Sequence, residues 1–361
     1  MKKKIILVAV LSFIMIFITG CGKQNINVSE KDNKKVSKND FIDVSFSLSK
    51  GLLNGKYIVA LTSNGDLYAN GNVAECEFDK YDIIEKNVKK FIHYNYFLVL
   101  KNNGELEYKG LGLSGGTISK FEKIFDNAID MSTNGFTIFT IDKNNNLYAR
   151  FNSFGSSNQN YNAGITEDCS EDFVKIRENV KKAIPTLTSY YFIDVNDNLY
   201  SKVDGEEKLL GENIVDFALK NYDNLITLDK NGSAYFYDNE EGTYEKIADN
   251  IKKISNSYLI DKDNYAYNID DGQAVKIEEI KNVDILDDYG NYYNFDTHKS
   301  EKKIEYVTLD GKLHSYIDGV DTVLTEKDYK NIIINNKYEK VKFYYRAFFL
   351  TIIVLIFIIG W

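Results

Sequence analysis

Proline occurs once in the 361 residues, at Pro185, and tryptophan once, at Trp361. A chain this poor in proline is not collagen-like. Three cysteines are too few for a disulfide-built fold. The three histidines, His93, His298 and His314, are too scattered for an HExxH or similar metal site, and no nucleophile elbow, P-loop or dinucleotide fingerprint occurs. With 44 basic against 53 acidic side chains the net charge is −9, so there is no cationic surplus for sequence-independent nucleic-acid binding. What is abundant is apolar and aromatic material: 44% of residues are hydrophobic, with 27 tyrosines and 22 phenylalanines. That is ample for a core and excludes wholesale disorder.

The N-terminus carries an export pattern. Lys2, Lys3 and Lys4 precede an apolar run from Ile5 to Thr19, and the run stops at Ile18-Thr19-Gly20-Cys21. Basic residues, apolar run and Gly-Cys in this order resemble the lipobox of bacterial lipoproteins, which implies diacylation of the Cys21 thiol and cleavage to leave Cys21 first. An uncleaved transmembrane anchor with an incidental cysteine is the alternative. Cleavage removes three lysines and takes the net charge to about −12. Gly22 to Asp40 is a polar tract rich in Lys, Asn and Ser that cannot bury enough surface to offset its ordering entropy, as expected of a tether.

From Phe41 the chain repeats. Leu61–Tyr68 (Leu-Thr-Ser-Asn-Gly-Asp-Leu-Tyr) recurs as Leu100–Glu107, Ile141–Tyr148, Ile193–Tyr200, Leu228–Tyr235, Ile260–Tyr267, Leu286–Tyr293 and Val307–His314. One column of this alignment reads Gly65, Gly104, Asn145, Asp197, Gly232, Asn264, Gly290, Gly311, all residues that tolerate positive φ. Several copies place Asn-Gly or Asp-Gly between apolar segments, the strongest short-range hairpin signal, so eight hairpins are expected. A second element precedes most copies by about twenty residues: Asn87-Val88-Lys89-Lys90-Phe91, Asn127-Ala128-Ile129-Asp130-Met131, Asn179-Val180-Lys181-Lys182-Ala183, Asn213-Ile214-Val215-Asp216-Phe217 and Asn250-Ile251-Lys252-Lys253-Ile254. Asn282-Val283-Asp284 opens a sixth and Asp40-Phe41-Ile42-Asp43-Val44 a first. Seven units of roughly 40 residues, built of short strands with no helical period, predict an all-β β-propeller of about seven blades. A pair of β-sandwiches or an open solenoid is the competing architecture. Beyond Tyr267 the spacing shrinks to about 25 residues. Either the last blades lack a strand or Val307–His314 completes a blade with another segment.

The order Asn-Val-Lys-Lys, apolar strand, then Leu-x-x-x-Gly-x-Leu-Tyr resembles the regulator of chromosome condensation type of propeller repeat. Asn87–Gly110 and Tyr57–Gly71 carry it most clearly. The likeness spans about Phe41 to Ile317, with Asn70-Gly71 standing where the family has Trp-Gly and the downstream Gly-Gln-Leu-Gly absent. It implies a platform whose loop faces bind other macromolecules; secreted bacterial members include protein inhibitors of β-lactamase. The nuclear exchange-factor role does not carry over, because no residue here matches such a surface.

Other features are ambiguous. Asp142-x-Asn144-x-Asn146, Asp194-x-Asn196-x-Asn198 and Asp261-x-Asp263 mimic the opening of a calcium loop, but Leu147 and Leu199 occupy the sixth position, where glycine is needed, and Ser153 and Gly205 the twelfth. Turn chemistry already accounts for these residues. Cys76 and Cys169 are the thiols left after lipidation, and export permits a disulfide between them. Asn152–Asp172 is an expanded interval rich in Ser, Asn and Gly, read as a binding loop or as a surface insertion. The tyrosines suit either a carbohydrate-stacking surface or, since most recur at one hairpin position, packing between sheets.

Ala347 to Trp361 is apolar to the last residue. As a helix, residues 347–361 span about 22 Å, and counting from Phe343 with Arg346 snorkelling about 28 Å, against a hydrocarbon core of about 30 Å. A membrane anchor is expected over a final buried strand, although Lys337, Lys340, Lys342 and Arg346 then lie on the outer side, against the positive-inside bias. The expected organisation is a signal peptide (1–20) with lipidation at Cys21, a tether (21–40), a propeller (41–342) and an apolar anchor (343–361). No catalytic residue, metal ligand or cofactor is identified. The expected role is a lipid-anchored extracytoplasmic module of the bacterial cell membrane, binding a protein or glycan and no nucleic acid. The alternatives are a hydrolase or lyase using carboxylates at the propeller axis, and a protein inhibitor or adhesin.

Overall fold

The computed structural model describes residues 41–325, apart from 48–56, 75, 95, 112–116, 153–160, 204, 221–223, 271, 288–290, 295–298 and 318. The signal segment, Cys21, the tether, the C-terminal apolar segment, His298 and Gly290 lie outside the described residues. No helix among the described residues is long and apolar enough to cross a membrane.

The described chain folds into seven antiparallel sheets in sequence order. The first is β1 (Phe41–Ser47), β2 (Tyr57–Thr62), β3 (Leu67–Val73) and β4 (Cys76–Glu85); the second is β5 (Val88–His93), β6 (Tyr96–Lys101), β7 (Leu106–Leu111) and β8 (Thr117–Phe125). The third holds β9 (Ala128–Thr133), β10 (Thr137–Asp142), β11 (Leu147–Phe151) and β12 (Val174–Arg177); the fourth β13 (Val180–Pro185), β14 (Ser189–Asp194), β15 (Leu199–Val203) and β16 (Glu206–Gly211). The fifth is β17 (Ile214–Lys220), β18 (Asn224–Asp229), β19 (Ala234–Asp238) and β20 (Thr243–Ala248); the sixth β21 (Ile251–Ile254), β22 (Tyr258–Asp261), β23 (Ala266–Asp270) and β24 (Gln273–Lys276). The seventh runs β25 (Val283–Asp287), β27 (Lys299–Thr308), β28 (Leu313–Ile317), β29 (Val320–Leu324), with β26 (Asn291–Asn294) pairing β27 beside that path.

This last sheet corrects the expected count of hairpins. The Leu286–Tyr293 copy joins no strand pair of its own, because β25 and β26 both pair β27. The central hairpin of the seventh sheet is the Val307–His314 copy, around Gly311. Of the two explanations for the compressed spacing, the second holds: Val307–His314 completes the blade that Val283 opens.

Each central hairpin turns where the chain permits positive φ. Gly65 (79°), Gly104 (86°), Asn145 (62°), Asp197 (67°), Gly232 (88°), Asn264 (68°) and Gly311 (74°) all occupy the left-handed region. The calcium-like aspartates belong to these turns. The Asp142 carboxylate accepts from the Asn144 and Asn146 amides and from Asn146 Nδ2, and Asp194, Asp229 and Asp261 repeat the amide pair. These are Asx caps that stiffen a hairpin.

The sheets are joined by one repeated device. The Asn before each first strand is itself at positive φ, at Asn87, Asn127, Asn179, Asn213, Asn250 and Asn282. Its carbonyl accepts an amide from its own sheet's hairpin, as from Asn102 and Lys143. The next residue's N–H then crosses to the turn of the preceding sheet: Val88 to Gly65 O, Ala128 to Gly104 O, Val180 to Asn145 O, Ile214 to Asp197 O, Ile251 to Gly232 O and Val283 to Asn264 O, all at 2.8–3.0 Å. Between those hydrogen bonds lie apolar seams. Tyr57, Val59, Leu61, Val88, Phe91 and Phe97 form one, between the first two sheets. The seam that joins the last sheet to the first holds Val44, Phe46, Ile58, Ala60, Ile285, Val307 and Leu313, so the seven sheets close into a ring. The expected solenoid, which would leave both end sheets uncovered, is thereby excluded. Closure uses no exchanged strand, since the first and seventh sheets are each continuous in sequence.

The turn glycines serve two demands that separate on substitution. At Gly65 a Cβ would meet Val88 O at 3.0 Å as well as an adverse φ, whereas at Gly205, with φ 80°, nothing lies within 4 Å. Gly65→Ala is expected to cost about 2–3 kcal/mol in urea unfolding and Gly205→Ala about 1 kcal/mol. Equal losses would contradict the seam contact.

Candidate functional site

The first strands face the axis and the fourth strands the rim. Neighbouring first strands touch, as β9 does β13, β17 does β21 and β1 does β25. The fourth strands β16 and β20 begin with four exposed residues each. Every first strand carries a bulge after its opening residue, which leaves the second residue outside the ladder and re-aims the third. Apart from buried Ile285 on the seventh blade, these two positions are buried neither with the opening residue nor with the fourth and form a charged rim at the hairpin end of the axis.

The third position alternates in sign around the ring: Asp43, Lys90, Asp130, Lys182, Asp216, Lys253, then Ile285. The second position alternates with it. Lys89, Lys181 and Lys252 stand on the lysine blades, and the exposed aliphatics Ile42, Ile129 and Val215 on the aspartate blades. Each third-position lysine reaches forward to the next blade. Lys90 Nζ lies 2.6 Å from Asp130 and 2.9 Å from Met131 O. Lys182 Nζ pairs with Asp216 and donates to Phe217 O at 2.7 Å. Lys253 Nζ donates to Asp284 O at 2.7 Å, with that carboxylate 3.8 Å away. These pairs are partly exposed, so each contributes modestly, and their effect is to fix which blade edge meets which.

An odd number of blades cannot alternate to closure. The mismatch falls on the first and seventh blades, where Ile285 replaces a charge and Asp43 follows it. Burial pushes the Asp43 carboxyl up to about 6, against the opposing pull of the Val44 amide and of Lys90 and Lys253. His93 lies on the next blade. Its Nε2 is 2.8 Å from Ser45 Oγ and its ring packs among Tyr57, Phe91 and Phe97, and burial lowers it to about 4.

Of the residues singled out from sequence, His93 and His314 are structural partners. His314 Nδ1 pairs with Asp321 at 2.9 Å and its ring stacks on Tyr306. Cys169 is a free thiol buried in the seam between third and fourth sheets, pushed up to about 12 by that burial, while Cys76 opens β4 in the first sheet. No disulfide joins them in this structure. The described part of the expanded interval also enters that seam: Ala163, Ile165 and Cys169 are buried, and Ala163 N donates to Leu187 O. It fills the core and is not a free loop. The hairpin tyrosines pack between strands and sheets, Tyr68 on Tyr81 and Tyr148 on Phe125. Of the axial carboxylates, Asp130 and Asp216 are each held by a lysine of the preceding blade. Every rim residue but Ile285 lies in the repeat segments of the sequence, yet the rim itself was missed; its signal was the alternation of Lys-Lys with aliphatic-Asp in successive copies.

Six consecutive four-stranded sheets and a five-stranded seventh, closed by an apolar seam, define a β-propeller. No protein-family model matches the chain, and no curated protein matches it. Among solved structures it is similar to Prp20p from Saccharomyces cerevisiae, described with its binding to Gsp1p and histones, at 13% identity over 76% of each chain with a TM-score of 0.44. It is also similar to BamB from Moraxella catarrhalis, at 12% identity over 72% of this chain and 78% of that one with a TM-score of 0.42. Human WBSCR16 is similar at 11% identity over 55% and 67%, with a TM-score of 0.43. At these values the likenesses carry no functional argument, and the propeller rests on the sheet order itself.

Asp43 and His93 pull the pH dependence of stability in opposite directions. Folding favours protonated Asp43 between its ordinary 3.8 and about 6, so this group makes stability fall as pH rises through that window. Neutral His93 makes stability rise between about 4 and 6.5. Asp43→Asn is expected to raise stability at pH 7 by about 1–3 kcal/mol and to leave a net rise between pH 4 and 6.5. Unchanged urea midpoints at pH 7 would contradict this.

Proposed function

We propose that this chain is a lipid-anchored extracytoplasmic propeller that binds a protein ligand across its axial rim. The rim carries the reading. It sets exposed Ile42, Ile129 and Val215 beside lysines and aspartates of both signs, the mixture that a protein surface matches and a single-sign polyelectrolyte does not. The address rests on the basic, apolar and Gly20-Cys21 order, with Cys21 as the lipidated residue and the bacterial cell membrane as the location. The 343–361 segment supplies a second attachment in this reading. The role is binding, with an inhibitor or adhesin as its specific forms, and no cofactor enters it.

Metabolic labelling with palmitate is expected to mark the wild-type chain and not Cys21→Ala, which should leave the membrane fraction in part; unchanged labelling would remove the anchor. A surface-extract pull-down with the full chain is expected to retain one protein that Ile129→Asp/Val215→Asp no longer retains. Retention indifferent to those two substitutions would place binding elsewhere.

A further inference from the structure

The seams of the ring are built alike, and one lacks the side chain that the others share. Two residues before each positive-φ Asn, at or just beyond the end of the fourth strand, a side chain points towards the next blade. Glu85 takes Lys101 at 2.6 Å, Phe125 packs on Tyr148, and Arg177 lies 3.9 Å over Phe192. Ala248 packs against the core with Tyr267, and Ile280 is fully buried with Tyr306. The register of this column is the same throughout: Leu67 faces Glu85, Leu106 faces Phe125, Leu147 faces Arg177, Leu199 faces Gly211 and Ala234 faces Ala248. At the seam between the fourth and fifth sheets the residue is Gly211. Its φ is not in the left-handed region, so no backbone demand explains it. Tyr244 Oη and Ile214 Cγ1 take up the space beside it, and next to them opens a cleft of about 530 Å³, within the range of small-molecule sites.

The lining of that cleft specifies a chemistry. Tyr235 and Tyr244 form one aromatic wall, in edge-to-face contact with ring centroids 6.3 Å apart and planes at 84°. The Tyr244 hydroxyl stands where a Cβ on Gly211 would come within 3.2 Å, so the glycine is what admits this wall. Below, Asp229 is occupied by its own turn amides and by Tyr235 Oη at 3.4 Å. The rim presents Glu212, Asn213 and Asn231, with Lys230 already paired to Asp197 at 2.8 Å. Neither sign of charge dominates, aromatic faces meet at a right angle, and amide and carboxylate groups surround them. A neutral, polyhydroxylated ring fits this set: apolar C–H faces for the tyrosines and hydroxyls for the amides.

We propose that the Gly211 cleft is a binding site for one hexose unit of a neutral oligosaccharide, independent of the axial rim. Isothermal titration of the full chain with maltotriose, chitotriose and a galactose trisaccharide tests it. At least one is expected to bind with one site per chain. Tyr244→Ala and the exposed-turn variant Asn231→Ala should each weaken that affinity tenfold or more. Gly211→Phe, whose ring would displace Tyr244 from the cleft, should abolish it. Because Tyr244→Ala and Asn231→Ala touch partly or wholly exposed side chains, they keep the test sound if Gly211→Phe misfolds. No heat from any of the three sugars up to about 10 mM, or affinity unchanged in Tyr244→Ala and Asn231→Ala, would overturn the proposal.

Discussion

The ring depends on a hydrogen bond between two backbone groups that local conformation places in reach. A turn residue at positive φ turns its carbonyl outward, and an Asn at positive φ aims the next N–H at it across the seam. Each such bond contributes about 1 kcal/mol net, which is little alone. Repeated from Val88 to Val283 it fixes the spacing of every blade after the first, and the apolar seams pack at that spacing. Sheets this small cannot cover their own faces, so turn chemistry, blade spacing and core burial stand or fall together.

Charge then distinguishes one seam from the next. The lysine blades reach forward to the aspartate blades, so alternate seams carry a clasp. Between clasps the contacts are of other kinds, such as Ser132 Oγ to Ala183 O and Lys220 Nζ to Ile269 O. Seven is odd, and the break falls where the chain also has to close. That closing seam rests on aliphatic packing around Phe46 and Ile285, with no shared strand to lock it. The first blade therefore combines a half-buried carboxyl at Asp43, a neutral His93 across the seam and the point of closure.

Much of the fold was legible because the repeat speaks through residues with few conformational options. Asn87, Asn127 and Asn179, and the column from Gly65 to Gly311, announced the turns, and the turns announced the blades. The seventh blade misled because Leu286–Tyr293 has the hairpin pattern without the partner: β25 found β27, a longer strand than β26. The interval before Asp172 misled in another way. Its composition reads as surface, yet Ala163, Ile165 and Cys169 are small enough to slip into a seam, and composition carries no information on depth. The rim was spelled out in the quoted segments but is a relation between blades, visible only once each copy has a neighbour. Gly211 was silent for the same reason, since a missing side chain signals only against a column that is otherwise filled.

Native-state hydrogen exchange of the six seam amides, Val88, Ala128, Val180, Ile214, Ile251 and Val283, tests the closed ring most directly. If the seams hold one cooperative structure, all six exchange only through global unfolding, with the same free energy and the same denaturant dependence. Exchange at separate free energies, blade by blade, would show a stack of independent sheets and contradict the account.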